Sequence, residues 1–267
     1  MTSTPSPLTP AGDTRPVPYY SDETVQLFYG DYRELLPILL ADHSFDLVVA
    51  DPPYGETSLD WDRWPDGWPA AMPGRSMWCF GSMRMFLERR GEFDGWKLSQ
   101  DIVWEKHTGS GFATDRFKRV HEHALHWYRG DWSAAHHEVP RIPSGRPNRG
   151  RAVLGRVKPP HTGQIASQGW EDDGTRIQGS VIYAPNMHGT AINESEKPRG
   201  VLEPLIAYGC RPGGLILDPF AGSCSTLVAA RATGRRCIGI ERREKQCEMA
   251  VRYRLSQGVL PFGEAAS

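Results

Sequence analysis

Apolar residues follow two rhythms along this chain, one of period two in short runs and one of helical spacing between them. Val25 to Tyr29 reads as a strand, Gly30-Asp31 punctuates it, and Tyr32 to Leu40 carries helical spacing despite Pro37. Phe45 to Ala50 and Ser76 to Phe80 are further strands, Met83 to Arg90 is a helix, and Asp101 to Glu105 and His123 to Tyr128 are two more strands. The rhythm resumes far downstream. Arg199 to Tyr208 predicts a helix, Gly214 to Leu217 a strand, Ser225 to Thr233 a helix, Arg236 to Ile240 a strand and Arg242 to Leu255 a helix. Strands alternating with helices predict an α/β fold with a mostly parallel sheet, right-handed crossovers and helices on both faces.

Breaks in the rhythm predict the organisation. Residues 1–22, rich in Pro, Ser and Thr, read as a disordered tail, and residues 259–267 as a second tail. Residues 23–130 and 191–258 form two halves of one domain. Between them, residues 131–190 lapse into Gly, Pro, Arg and Ser with only Val181-Ile182-Tyr183 strand-like, which predicts an insertion rather than sheet core. The stretch Gly55 to Pro73 holds Trp61, Trp64 and Trp68 and reads as a loop too polar and too Pro-broken for regular structure. Its tryptophans are expected to form their own packing cluster, with closure over a ligand as the alternative.

Composition narrows the function. The 267 residues suffice for one principal domain, and a net charge of -1 neither suggests nor excludes a polyanionic partner. Five cysteines without a Cys-x-x-Cys pair imply neither a zinc knuckle nor a disulfide framework. His121, His123 and His126 lack companion ligands, so they are placed on a strand and its flanks and no metal is expected. Nothing approaches a membrane span or a secretory signal, which points to a cytoplasmic protein with no membrane partner.

Candidate chemistry begins at Asp51-Pro52-Pro53-Tyr54, which ends the apolar run Phe45 to Ala50. Ligands of open α/β sheets bind at the carboxyl ends of strands. There, Asp51 and the Pro52 carbonyl could accept from a substrate amine while a flat base stacks on Tyr54. A strand-ending proline turn is the bland alternative. A second signature is Leu215 to Thr226, a strand leading through Asp218-Pro219-Phe220-Ala221-Gly222-Ser223-Cys224 into a helix start. Such a small-residue loop lets a ligand approach backbone N–H groups closely. Glu241 ends the next strand, where a carboxylate can accept both hydroxyls of a ribose. The G-x-G-x-x-G spacing of dinucleotide enzymes is absent, which disfavours a dehydrogenase.

Together these residues resemble the site-specific DNA amino-methyltransferases, which carry an Asp-Pro-Pro-Tyr motif and an Asp-Pro-Phe-x-Gly-Ser-Gly-like loop. The order, with Asp-Pro-Pro-Tyr first, resembles the permuted beta arrangement of that family. Gly30-Asp31 matches its Gly-Asp element, and Asn193-Glu194-Ser195-Glu196-Lys197-Pro198 resembles its His-Pro-Thr-Gln-Lys-Pro segment. The resemblance spans Val25 to Leu255 and implies a Rossmann-like methyltransferase sheet, S-adenosylmethionine as cofactor and double-stranded DNA as partner. It implies catalytic roles for Asp51, Pro52 and Tyr54, with Pro53 at the substrate. It further implies that Asp31 meets the cofactor adenine, Glu241 its ribose, and Asp218, Phe220, Gly222 and Ser223, with Lys197, its methionine end. Cys224 stands where the family has glycine, so its Cβ must point away from that moiety. Asn193 and Glu194 replace the usual His-Pro.

The resemblance also places target recognition in the irregular interval. Val139 to Gln168 holds Arg141, Arg146, Arg149, Arg151, Arg156 and Lys158 with no Asp or Glu, which makes it a candidate DNA-contacting segment. A solvated basic loop is the alternative. An Asp opening the tetrapeptide favours adenine N6, with cytosine N4 the nearest rival. A non-catalytic DNA-binding regulator is the reading from another class. The expected setting is a prokaryotic or phage modification enzyme, of a restriction-modification pair or alone, as a monomer or a homodimer.

Overall fold

The computed structural model describes residues 15–110, 114–144, 173–187, 191–193 and 196–256. The chain divides into a body, residues 1–138 with 180–267, and a smaller unit, residues 139–179. In chain order the body carries β1 (Tyr20–Ser21), β2 (Val25–Tyr29), α1 (Tyr32–Asp42), β3 (Leu47–Ala50), α2 (Trp68–Ala71), β4 (Ser76–Gly81), α3 (Met83–Glu88), β5 (Lys97–Ser110) and β6 (Arg119–Tyr128). The smaller unit contributes β7 (Arg141–Pro143) and β8 (Thr175–Ile177), an antiparallel pair. The body then resumes with β9 (Val181–Tyr183), α4 (Arg199–Gly209), β10 (Leu215–Asp218), α5 (Ser225–Ala232), β11 (Arg236–Glu241) and α6 (Glu244–Ala250), which runs on as a π-helical turn through Leu255.

Nine strands form one sheet in the order β1-β2-β11-β10-β3-β4-β6-β5-β9. From β2 to β4 the neighbours are all parallel, while β6 runs antiparallel to both β4 and β5. The central strands are apolar on both faces, as strands covered on both sides must be. In β3, Leu47 and Val49 enter one core with Val201, Leu205 and Leu227 of α4 and α5. Val48 and Ala50 enter the other with Leu36, Trp68 and Met85 of α1, α2 and α3. The expected α/β architecture, mostly parallel with helices on both faces, is the one observed.

Sequence and structure differ at four places. Tyr20–Ser21 pairs with β2 and Asp22 accepts from the Thr24 and Val25 N–H groups, so ordered chain begins inside the interval read as a tail. The smaller unit is narrower than the expected 131–190 insertion. Val181–Tyr183, read as part of that insertion, pairs in parallel with Val103 to Glu105 of β5 and extends the main sheet. The tryptophan stretch is not wholly irregular, since α2 starts with Pro69 in its first turn, where the missing proline N–H costs nothing.

Candidate active site

Four neighbouring parallel strands end on the same edge of the sheet, and each ends on an acid. Asp31 follows β2, Glu241 closes β11, Asp218 closes β10 and Asp51 follows β3. The chain leaves β10 towards β11 and leaves β3 towards β4, so a crevice opens between β10 and β3 where the winding direction switches. A cavity of about 260 Å³ lies there, lined by all four acids together with Tyr54, Phe220, Gly222 and Ser223. Sequence reasoning thus brought together residues that are far apart in the chain and close in space.

Each acid is held differently. Asp31 caps α1 by accepting from the Arg33 N–H at 2.9 Å, and the Arg33 guanidinium on its carboxylate holds its pKa low. Glu241 accepts from Gly222 N–H at 2.9 Å through one oxygen and from the Arg243 N–H at 2.8 Å through the other. It therefore pins the glycine of the β10–α5 loop to the end of β11. Gly222 adopts φ +49°, a backbone conformation L side chains rarely take, so the position favours glycine. Asp218 is buried, which pushes its carboxyl up to about 7 in spite of the Phe220 N–H it accepts at 3.0 Å.

Cys224 takes the left-handed conformation, φ 62°, the one described non-glycine residue with positive φ. Its side chain is fully buried in the core with Leu227 and Cys237 and is not part of the cavity wall. Phe220 packs edge-on against Tyr32 and Trp68, with ring centroids at 5.4 and 5.3 Å. Trp64 and Trp68 form the expected packing cluster with Phe93, whereas Trp61 lines the cavity under the Arg243 guanidinium.

Around Asp51 the structure adds groups that sequence reasoning missed. Tyr54 Oη lies 2.8 Å from Asp51 Oδ1 and 2.5 Å from Glu122 Oε1. Lys197 Nζ donates to Asp51 Oδ2 at 2.6 Å and lies 3.3 Å from Glu122. Lys106 Nζ donates to the other Glu122 oxygen at 2.6 Å. Burial raises the Asp51 pKa; Lys197 opposes this and Glu122 adds to it. Burial also works against a charged Glu122, but Lys197 and Lys106 outweigh it and bring its pKa down to about 2. Burial and the two carboxylates push the Tyr54 phenol well up. The next turn is held by Asp62, which accepts from Gly55 and Thr57 N–H groups at 2.8 and 2.7 Å.

A second cavity, about 400 Å³, opens on the far side of Tyr54, lined by Glu122, Lys106, Trp104 and Arg119 among others. His121, His123 and His126 all lie on β6, as expected. His126 donates to or accepts from Ser76 at 2.9 Å, and burial lowers its pKa to about 4. Of the basic segment, Arg141 is described: its guanidinium pairs with Asp173 at 2.9 Å inside the smaller unit. Arg146, Arg149, Arg151, Arg156 and Lys158 lie outside the described residues. No helix among the described residues is long and apolar enough to cross a membrane.

The chain is similar to known proteins. M1.MboII of Moraxella bovis, a type II methyltransferase, is 25% identical over 79% of this chain and 86% of its own length. Among solved structures, the M1.HpyAVI–SAM complex superposes with a TM-score of 0.58 at 19% identity, over 85% of this chain and 98% of that one. The PvuII cytosine-N4-specific DNA methyltransferase superposes with a TM-score of 0.62 at 14% identity, over 92% and 91%. These likenesses fix the fold as that of the DNA methyltransferases. The profile of the DNA methylase family that modifies N6 and N4 amines matches residues 45–252, from the strand before Asp51 to the helix after Glu241, and the chain belongs to that family.

Proposed function

We propose that this DNA methylase moves a methyl group from S-adenosylmethionine to the N6 amine of an adenine turned out of duplex DNA. The observation that carries the reading is the convergence of Asp51 and Tyr54 with Asp218 and Glu241 on one cavity. An exocyclic amine is a weak nucleophile because its lone pair is spread into the ring. Acceptors at Asp51 and the Pro52 carbonyl draw its N–H groups out of the ring plane, and Pro53 stiffens the turn that holds them. The Tyr54 ring offers a stacking face that offsets part of the cost of taking a base out of the stack.

The cavity suits S-adenosylmethionine, a cation with a ribose diol, because four acids face it and Gly222 presents its backbone to it without a side chain. When bound, the cofactor supplies an electrophilic methyl group. Asp31 would face its adenine, Glu241 its ribose hydroxyls, and Asp218, Phe220, Gly222 and Ser223 its methionine end. Lys197, with its ammonium on Asp51, reads better as a partner of the catalytic acid than as a holder of the methionine. Asp opening the tetrapeptide supports adenine over cytosine. The basic residues 141–158 are read as phosphate contacts and part of target choice, so binding should weaken steeply with salt. On the same reading we take the protein to act in the bacterial or phage cytoplasm, as monomer or homodimer.

Nucleoside mass spectrometry of DNA from cells expressing the protein tests the reading. N6-methyladenine is the expected product. N4-methylcytosine would move the target to cytosine, and neither product would favour a non-catalytic DNA-binding role. The D51N variant should leave the DNA unmodified, with transfer slowed by at least about a hundredfold.

A further inference from the structure

Tyr54 stands between two carboxyls but carries one hydrogen to donate. Glu122 is the stronger claimant, because the Lys106 and Lys197 ammoniums beside it keep it ionised. Asp51 Oδ2 is already taken by Lys197 at 2.6 Å. That leaves Asp51 Oδ1 facing a phenol oxygen whose hydrogen points elsewhere, so the ionised carboxylate keeps Oδ1 as an open acceptor on the first cavity. Asp51 lines that cavity and not the second, Glu122 and Lys106 line the second and not the first, and Tyr54 lines both.

We propose that Glu122, anchored by Lys106, is a positioning residue for methyl transfer: it draws the Tyr54 hydroxyl hydrogen away from Asp51 and so leaves Asp51 Oδ1 to receive a hydrogen of the target amine. Glu122 acts through Tyr54 and does not itself meet the base. The proposal rests on the reading of Asp51 as the amine acceptor. Groups facing Asp51 are Lys197 ahead of α4, Tyr54 in its own loop, Glu122 on β6, Asp218 on β10 and the Cys79 thiol on β4, with Lys106 of β5 behind Glu122. Of these, an E122Q variant alters Glu122 alone. It returns the phenol hydrogen to Asp51 and removes a like charge from beside it.

The test is single-turnover transfer of tritiated methyl from S-adenosylmethionine to genomic DNA of a methylation-deficient bacterium, across pH, with E122Q, Y54F and the double variant. E122Q should lower the plateau rate by about tenfold or more while cofactor affinity stays within about twofold. Its acid limb should move to lower pH, because Asp51 ionises more easily without Glu122 beside it. In the Y54F background, E122Q should cost less than about twofold more, since the two act as one unit. An E122Q rate near that of the parent with an unmoved limb, or losses that multiply in the double variant, would overturn the proposal. Should E122Q fail to fold by circular dichroism, K106M replaces it: with the Glu122 charge less neutralised, the limb must move to higher pH, and an unmoved limb is again decisive against the idea. A parent protein that methylates no DNA overturns the function reading itself, whatever the variants do.

Discussion

Lys197 and Asp51 are 146 positions apart in the chain and their side chains meet at 2.6 Å. The lysine enters just ahead of α4 and the aspartate leaves β3, so the ion pair ties the two sequence halves of the site together. A K197M variant would leave two carboxylates without their shared cation. Breaking a buried pair of this kind costs about 3 kcal/mol, to be read from urea unfolding at neutral pH. The acid limb of activity should move upward as well. Lys197 opposes the rise of the Asp51 pKa, and activity that needs ionised Asp51 is present only above that pKa.

Glu241 offers a separable test of cofactor binding. A glutamine there keeps an acceptor for the Gly222 N–H but removes the charge that two ribose hydroxyls would meet. Hydrogen bonds to a charged group are worth about 1.5–3 kcal/mol, so E241Q should weaken S-adenosylmethionine binding by about tenfold or more. Titration calorimetry with the free cofactor reads this directly, and an unchanged Kd would remove Glu241 from the ribose site.

Burial of Asp218 makes stability depend on pH in a stated direction. Its folded pKa, about 7, lies above the ordinary carboxylate value, so folding favours the protonated acid. That contribution is present in full below about pH 4 and is lost as pH rises towards 7. D218N keeps an acceptor for the Phe220 N–H and cannot ionise. Relative to the parent it should gain stability as pH rises from about 4 to about 8, by up to about 4 kcal/mol, the free-energy equivalent of so large a rise in pKa. Urea midpoints that move in parallel for both proteins would contradict this.

Cys224 occupies a backbone conformation that costs an L residue about 1–2 kcal/mol. A β-branched side chain is worse there and too large for the packed site, so C224V should destabilise by about 2 kcal/mol or more. C224G exchanges relief of strain for loss of a buried thiol and should fall within about 1 kcal/mol of the parent. Thermal melts of the two variants would give the order.

Much of this was written in the chain. The strands β2, β3, β4, β10 and β11 follow the predicted runs closely because each is a short, largely apolar run with Gly, Pro or Asp within two residues of at least one end, and these mark turns whatever the tertiary context. The site acids were legible for the same reason, each closing such a run. Glu122 and Lys106 were not. Both sit at polar positions of long strands, and their meeting depends on the antiparallel register that sets Glu122 opposite Trp104, which no local pattern encodes. Lys106 follows the expected strand Asp101 to Glu105 by one residue and Glu122 precedes the expected strand His123 to Tyr128 by one, and that placement is the one signal that could have suggested them. β1 was missed, and Val181 to Tyr183 was read as a strand but left in the insertion, because strands of two and three residues at the sheet margins take their place from the neighbour they pair with.

The place where β9 rejoins the sheet bears on the interval proposed to contact DNA. Just before the smaller unit, the Glu138 N–H donates to the Tyr208 carbonyl at 3.0 Å; just after it, the Ser180 carbonyl accepts from Val103 at 2.8 Å. Both ends of the graft are therefore stitched into the methyltransferase body by backbone bonds that do not depend on what lies between. A segment of different length and sequence could be spliced between 138 and 180 without unpairing a strand of the main sheet. If the interval between these seams carries the DNA contacts proposed for it, recombination there would give new sequence choice to an unaltered methyltransferase body.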